Sequence, residues 1–242
     1  MTIAIPRLSR LPADQRGITL ADFLVPIRVG ESLSSRARHV VLIVTGALFI
    51  ALTAQITVVP SGQTIPLIAD FRIQLGTSPV PITGQTFGVL LVGGALGFRR
   101  GIAATVLYLA LGLLLPFYAG GASGLDTFVD RSGGQLVVMP TGGYLLGFVV
   151  AAAVTGRLAE LGWDRNLLGA VAAMLIGNAL VYVVGVPWLA AALGSLDDGA
   201  TWTSAIEFGL LPFVIVDLLK LAAAAILFPA AWWVVGRRPG ER

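Results

Sequence analysis

Twenty consecutive residues without a charge, Val40 to Val59, constrain this chain more than any other feature. At about 1.5 Å per helical residue such a run crosses roughly 30 Å, the thickness of a bilayer's hydrocarbon core. Further apolar stretches cover about Ile82 to Phe98, Gly101 to Tyr118, Leu136 to Thr155, Asn166 to Leu189 and Phe208 to Val235. Together they predict an all-α, polytopic membrane protein with six transmembrane helices. Composition agrees: 56% of residues are hydrophobic, 12% are charged and the mean hydropathy is +0.88, so a water-soluble monomer would lack the polar surface to cover itself.

The basic residues lie at the ends of these runs, which reads as topology and not as a phosphate-reading stripe, in spite of a pI near 9.8. Six spans put both termini on one side. That side carries thirteen Lys and Arg: six in the segment before Val40, Arg99 and Arg100, Arg157 and Arg165, and three at the C-terminus. The opposite loops carry only Arg72 and Arg131, with Asp70, Asp126, Asp130, Asp197, Asp198 and Glu207. The positive-inside rule therefore makes both termini cytoplasmic, in a multi-pass protein of the cell (inner or plasma) membrane. The chain divides into an N-terminal tail (1–39) with room for a short interfacial helix, a membrane-embedded domain (40–235) and a C-terminal tail (236–242). Between spans, 61–81 with Pro66, Pro79 and Pro81 reads as a loop that either dips back into the membrane or lies at the interface, and 119–135 as a glycine-rich polar loop.

Enzyme chemistry has little to work with. The chain has no cysteine and one histidine, His39, in a basic flank, so thiolate or imidazole metal sites and Ser–His or Cys–His nucleophiles fall away. It lacks a GxxxxGK[ST] phosphate loop, and Ser123 misses a GxSxG elbow by one position. Neither an enzyme nor a bound cofactor is expected.

Two charges inside the last apolar run, LLPFVIVDLLKLAAAAILF, are the most expensive residues in the chain. A charge at a helix centre costs about 2.5 to 3.5 kcal/mol on insertion scales, so Asp217 and Lys220 need a reason to be there. Three apart, they share a helical face toward the bundle interior and neutralise each other in part. Two roles stay open. One is a structural ion pair with a snorkelling lysine; the other is a ligand site, with the ammonium meeting a carboxylate and Asp217 accepting from ligand N–H groups. Glycines four apart (84/88, 93/97, 97/101, 120/124, 143/147) permit close helix packing. GGASG at 120–124 and TGG at 141–143 cluster with Pro116, Pro140 and Tyr144 at the outer mouth, where backbone amides can bind a polar ligand or hinge a lid. Gln85 and Asn178 offer both a donor and an acceptor to a cyclic urea or amide. Trp188, Trp202, Trp232 and Trp233 read as interfacial anchors.

Four segments in order, PVPITGQTFGVLLVGGALG (79–97), RRGIAATVLYLALGLLLPFYAGG (99–121), PTGGYLLGF (140–148) and DLLK (217–220), resemble the BioY family. That family comprises the biotin-specific substrate-binding (S) components of energy-coupling factor (ECF) transporters, and the likeness covers about residues 40 to 235. The resemblance implies a six-helix bundle that captures biotin near the outer face and carries it across by toppling within an ATP-driven complex. Its partners there would be a transmembrane T component and two ATPase subunits. Biotin is then the transported substrate and not a cofactor. Lys220 is placed at its carboxylate and Asp217 at a ureido N–H or at Lys220 itself, with Gln85, Tyr144, Asn178, Thr141, Gly120 and Gly121 around the pocket. Ala47 and Ala51 are implied to form the AxxxA face of the first helix that docks the T component. An S component for another vitamin and a proton-coupled carrier using Asp217 are the competing readings. Lys220 beside Asp217 favours an anionic ligand over a cation such as thiamine.

Overall fold

A computed structural model describes residues 19–24, 35–56, 64–68, 71–74, 78–132, 135–196 and 202–235. The elements are α1 (Leu20–Leu24), α2 (Ser35–Ala54), β1 (Thr64–Ile68), β2 (Phe71–Gln74), α3 (Gln85–Leu96), α4 (Phe98–Gly112), β3 (Val129–Ser132), β4 (Gln135–Val138), α5 (Gly142–Glu160), α6 (Leu167–Leu196), α7 (Trp202–Gly209) and α8 (Leu211–Val235). Four helical stretches are long and apolar enough to cross a membrane: Arg36–Ala54, Gly142–Glu160, Leu167–Ser195 and Trp202–Val235, the last joining α7 to α8. The expected second and third spans are shorter. α3 has 12 residues, about 18 Å of helix, and α4 has 15.

Local chemistry explains the shortening. Pro79 and Pro81 keep 78–84 out of the helix, so α3 starts only at Gln85. It ends at Gly97, whose φ of 81° and ψ of −178° lie in a region open to glycine alone. A Cβ there would sit 2.8 Å from both Glu160 Oε1 and Thr19 Cγ2. Glu160 uses that oxygen to accept the Phe98 N–H at 2.9 Å, which satisfies one of the free donors at the start of α4. α4 stops at Gly112 because a helical Pro116 would drive its ring into the carbonyl four residues back.

Two hairpins break the all-α expectation. β1 and β2 pair antiparallel inside the stretch expected to be a loop, with an irregularity between Pro66 and Ile68, where proline has no N–H for the ladder. β3 pairs with β4, so the apolar run assigned to a fourth span divides, and its helix begins only at Gly142. Leu136 is 70% exposed while Val137 is buried, the alternation of a strand with one covered face, and Pro140 then ends the pairing.

The N-terminal boundary also moves. α2 begins at Ser35, inside the expected tail, and α1 packs on α3 and α8 with Leu20 and Ala21 buried. Asp22 ties it down, accepting from Arg100 Nη1 at 2.8 Å, from the Thr19 N–H at 3.0 Å and from the Thr19 hydroxyl at 3.1 Å. Burial pushes the Asp22 carboxyl up, but Arg100 and the Thr19 donors together hold it below its ordinary 3.8.

α5 is the central element, packed by α3, α4 and α6; α2 lies on α3 and α4, and α8 on α6 and α3. Ala47 and Ala51, expected to dock a partner, are 0% and 6% exposed within this packing. That face of α2 is already covered by the chain itself; Val41, Val44, Leu48 and Leu52 are what α2 leaves open. Two of the four tryptophans expected as interfacial anchors serve as internal posts. Trp188 Nε1 donates to the Met139 carbonyl at 2.8 Å, with Gly143 so close that a Cβ on it would lie 2.1 Å from Trp188 Cβ. Trp232 Nε1 donates to Asp164 Oδ2 at 2.6 Å and stacks under the Arg165 guanidinium. Burial pushes the Asp164 carboxyl up to about 6, against the Trp232 hydrogen bond and Arg165. Trp202 and Trp233 stay exposed.

Candidate functional site

Phe213, Asp217 and Lys220 stand at i, i+4 and i+7 on α8, which puts them on one face. Lys220 Nζ donates to Asp217 Oδ1 at 3.0 Å, and the Tyr182 hydroxyl of α6 donates to Asp217 Oδ2 at 2.5 Å. Both carboxylate oxygens are therefore engaged by the protein. The Asp217 side chain is 3% exposed and that of Lys220 11%, a buried pair that survives because each charge has a partner.

Lys220 forms part of the wall of a cleft of about 420 Å³ at the end of the bundle where α3 and α5 begin. The cleft is narrow, its walls closing on each other. One wall is the non-helical lead-in to α3, with Val80, Pro81 and Thr83; α5 contributes Tyr144, Leu145 and Phe148, and Thr141 precedes it. Three aromatic rings form the opposite side. Tyr144 stacks on Phe213 at 6.2 Å and meets Tyr182 edge-on at 6.2 Å, while Tyr182 and Phe213 are 6.3 Å apart. The Tyr144 hydroxyl is spent on the Gly209 carbonyl at 2.8 Å, so this residue fixes α5 to the α7–α8 corner. Gln85 is the polar end. Its Oε1 accepts the Thr83 hydroxyl at 3.1 Å and its Nε2 donates to the Tyr108 hydroxyl, leaving one N–H and one lone pair uncommitted to those bonds.

A cation at one point, aromatic faces along the side and a carboxamide elsewhere suit a guest with a carboxylate, an apolar body and an amide-like polar group. Among the described residues no group of His, Cys, Asp and Glu could hold a metal ion.

Of the residues singled out from sequence, Gln85, Thr141, Tyr144 and Lys220 share the cleft. Asp217 does not line it and stands behind Lys220. Asn178 does not line it: it lines an adjoining groove between α6 and α8 with Leu175, Val183, Val214 and Leu218, a groove that shares Tyr182 with the cleft, and its buried Oδ1 has no hydrogen-bond partner among the described residues. Gly120 and Gly121 sit exposed in a 3-10 turn with φ of 64° and 78°, and line none of the described cavities around the pair. Tyr182, Phe213, Thr83 and Thr86 were missed as site residues. Phe213 carried a signal, its spacing from Asp217 and Lys220 along one helical face; Tyr182, a polar side chain inside an apolar span, pointed to an interhelical hydrogen bond, but only the packing of α6 on α8 names Asp217 as its partner.

Comparison with known proteins adds a second line of evidence. The sequence model of the BioY family matches residues 63–237. Among curated proteins, the biotin transporter BioY of Thermotoga maritima is 36% identical over 165 residues, covering 68% of this chain and 88% of the relative. The biotin transporter BioY of Rhizobium etli is 36% identical, covering 64% and 79%. The probable biotin transporter BioY of Pyrococcus horikoshii is 31% identical, covering 79% and 94%. The crystal structure of an S-component for biotin from an ECF-type ABC transporter superposes with a TM-score of 0.62 at 23% identity, over 83% of this chain and 94% of that one. That likeness is one of fold.

Proposed function

The chain belongs to the BioY family, whose curated members are transporters and not enzymes, and from that premise we propose that it captures biotin and takes it across the cell membrane as the S component of an ECF-type transporter. Lys220 is the observation that carries the assignment: a mostly buried ammonium in a cleft wall, oriented by an enclosed Asp217 that Tyr182 holds from the other side. The ammonium has three donors and commits one to Asp217, so it is free to take the carboxylate of biotin. The thiophane ring and valeryl tail lie on Tyr144, Tyr182 and Phe213, and Gln85 and Thr141 meet the ureido group. Asp217 acts as a positioning residue for Lys220. Loading the narrow cleft requires its walls to part, and the non-helical 80–83 segment is the wall with no helix hydrogen bonds to break. A proton-carrier role for Asp217 would have to disrupt both of its present partners.

In this proposal α2, α3, α4, α5, α6 and the joined α7–α8 make six crossings, with both termini on the arginine-rich cytoplasmic side and the cleft toward the outer face. The region from α2 to α8 is the substrate-binding domain, flanked by the terminal tails. Among the described residues there is no phosphate-loop signature, so a T component and two ATPase subunits supply the energy, and the loaded bundle topples to deliver biotin. Protein purified gently and extracted for mass spectrometry should release biotin. Titration calorimetry in nanodiscs should show tight binding of biotin and none of thiamine or riboflavin. Tight binding of either of those in place of biotin would replace the substrate; undetectable binding of all three would reject vitamin capture.

A further inference from the structure

At the far end of the bundle from the cleft, two cavities of opposite chemistry adjoin. One is lined by His39, Arg99, Arg100 and Arg157 together with Asp22 and Glu160. The other is an apolar groove between α2, α3 and α8, with Phe49, Leu91, Ala95, Leu227 and Phe228 among its walls. Leu96 lines both, and the walls are continuous through Ile43 and Leu42 on α2 and through Asp22 and Ala21 on α1.

The charges do not cancel. Asp22 is shared by Arg100 at 2.8 Å and Arg38 at 3.6 Å, and Glu160 pairs with Arg157 at 3.0 Å. Arg99 is exposed and makes no ion pair among the described residues, so an anion entering here finds uncompensated positive charge, with the exposed His39 imidazole lining the same cavity. The dimensions fit a membrane lipid. From His39, beside the charged cleft, to Phe49 in the groove is ten residues along α2; at 1.5 Å per residue that is about 15 Å, half the hydrocarbon thickness and so the depth of one leaflet. A charged head region at the helix ends that opens into an apolar trough one leaflet deep has the shape of an acidic phospholipid.

We propose that this composite cavity is a binding site for one anionic phospholipid, its phosphate on Arg99, Arg157 and His39 and an acyl chain in the groove against Phe49, Leu91 and Phe228. Basic pockets between spanning helices are known takers of acidic head groups. Occupied in this way, the lipid would brace α1 against α2 and α8 at the cytoplasmic end, far from Lys220.

The test does not depend on the substrate assignment. Protein in mild detergent is titrated with phosphatidylglycerol, phosphatidylcholine or inorganic phosphate and followed by native mass spectrometry and thermal unfolding. One phosphatidylglycerol should be retained in preference to phosphatidylcholine and raise the unfolding temperature, with phosphate alone having no effect. R99Q, an exposed change that leaves the fold and biotin titration intact, should cut phosphatidylglycerol retention about fivefold, the worth of one basic residue near an anionic surface. Equal retention of phosphatidylcholine, equal stabilisation by free phosphate, or undiminished retention by R99Q would each overturn the proposal. In whole membranes, photoreactive benzoylphenylalanine in place of Phe49 should capture lipid. Capture of a polypeptide would show the groove to be a helix-docking surface and would equally overturn it.

Discussion

Replacing Lys220 with methionine separates the two things this residue does. The methionine keeps the length and apolar stem of the side chain and removes only the ammonium. Asp217, 3% exposed, then loses a 3.0 Å charge-assisted bond and keeps the 2.5 Å bond from Tyr182. Removing one partner of a buried ion pair costs about 3–5 kcal/mol, so K220M should unfold at clearly lower temperature than wild type. D217N/K220M, which leaves no lone buried charge, should recover much of that loss. Ligand affinity should follow a different pattern. A charged hydrogen bond contributes about 1.5–3 kcal/mol, which is roughly 10- to 150-fold in Kd, and both variants should lose it for biotin. Biotin amide, with no carboxylate, isolates that contribution. Wild type should prefer biotin over the amide by that factor, and K220M and D217N/K220M should not discriminate between them. Calorimetry in nanodiscs measures all six affinities, three proteins against two ligands. If K220M keeps the wild-type preference for the free acid, the ammonium does not meet the carboxylate, and the placement of the ligand in this cleft is wrong.

Y182F removes the second donor to Asp217 and should lower stability by about 1–3 kcal/mol, the cost of a buried acceptor left unsatisfied; an unchanged unfolding temperature would show that the hydroxyl contributes nothing. G97A forces a Cβ into a glycine-only backbone region and to 2.8 Å from two atoms, so a loss of about 2 kcal/mol or more is expected, seen as a lower thermal midpoint; a neutral outcome would mean the α3–α4 corner relaxes freely. Asp164 predicts a pH effect. Its carboxyl is raised from 3.8 to about 6 in the folded state, so its favourable contribution is complete below 3.8 and is lost as pH climbs through 6. The gap corresponds to on the order of 3 kcal/mol. Wild type should therefore lose stability between pH 4 and pH 6.5 relative to D164N, and parallel curves for the two would remove Asp164 as the source. Asp22, lowered in the fold, acts in the opposite direction but below pH 4, outside that window.

The sequence by itself determined the solvent, the helices of the long apolar runs and the ion pair inside the last of them. A bilayer accepts a backbone only where its polar groups pair internally, so long uncharged runs had to be helices, and two charges inside one of them had to find each other. Their spacing of three on a helix makes that meeting a local property, readable without any other part of the chain. The helix edges were less legible. Gly97, Pro116 and Pro140 cut the apolar runs, and hydropathy averaged over a window does not register a positive φ or a missing N–H. What only the tertiary structure decided is who stands across the gap. Tyr182 reaches Asp217 because α6 packs on α8, Asn178 one turn away lines only the groove that adjoins the cleft, and Ala47 and Ala51 are covered by α3 and α4. Each of these depends on the rotation of one helix against another, which is set by the summed fit of many side chains and leaves no periodic mark in the order of residues.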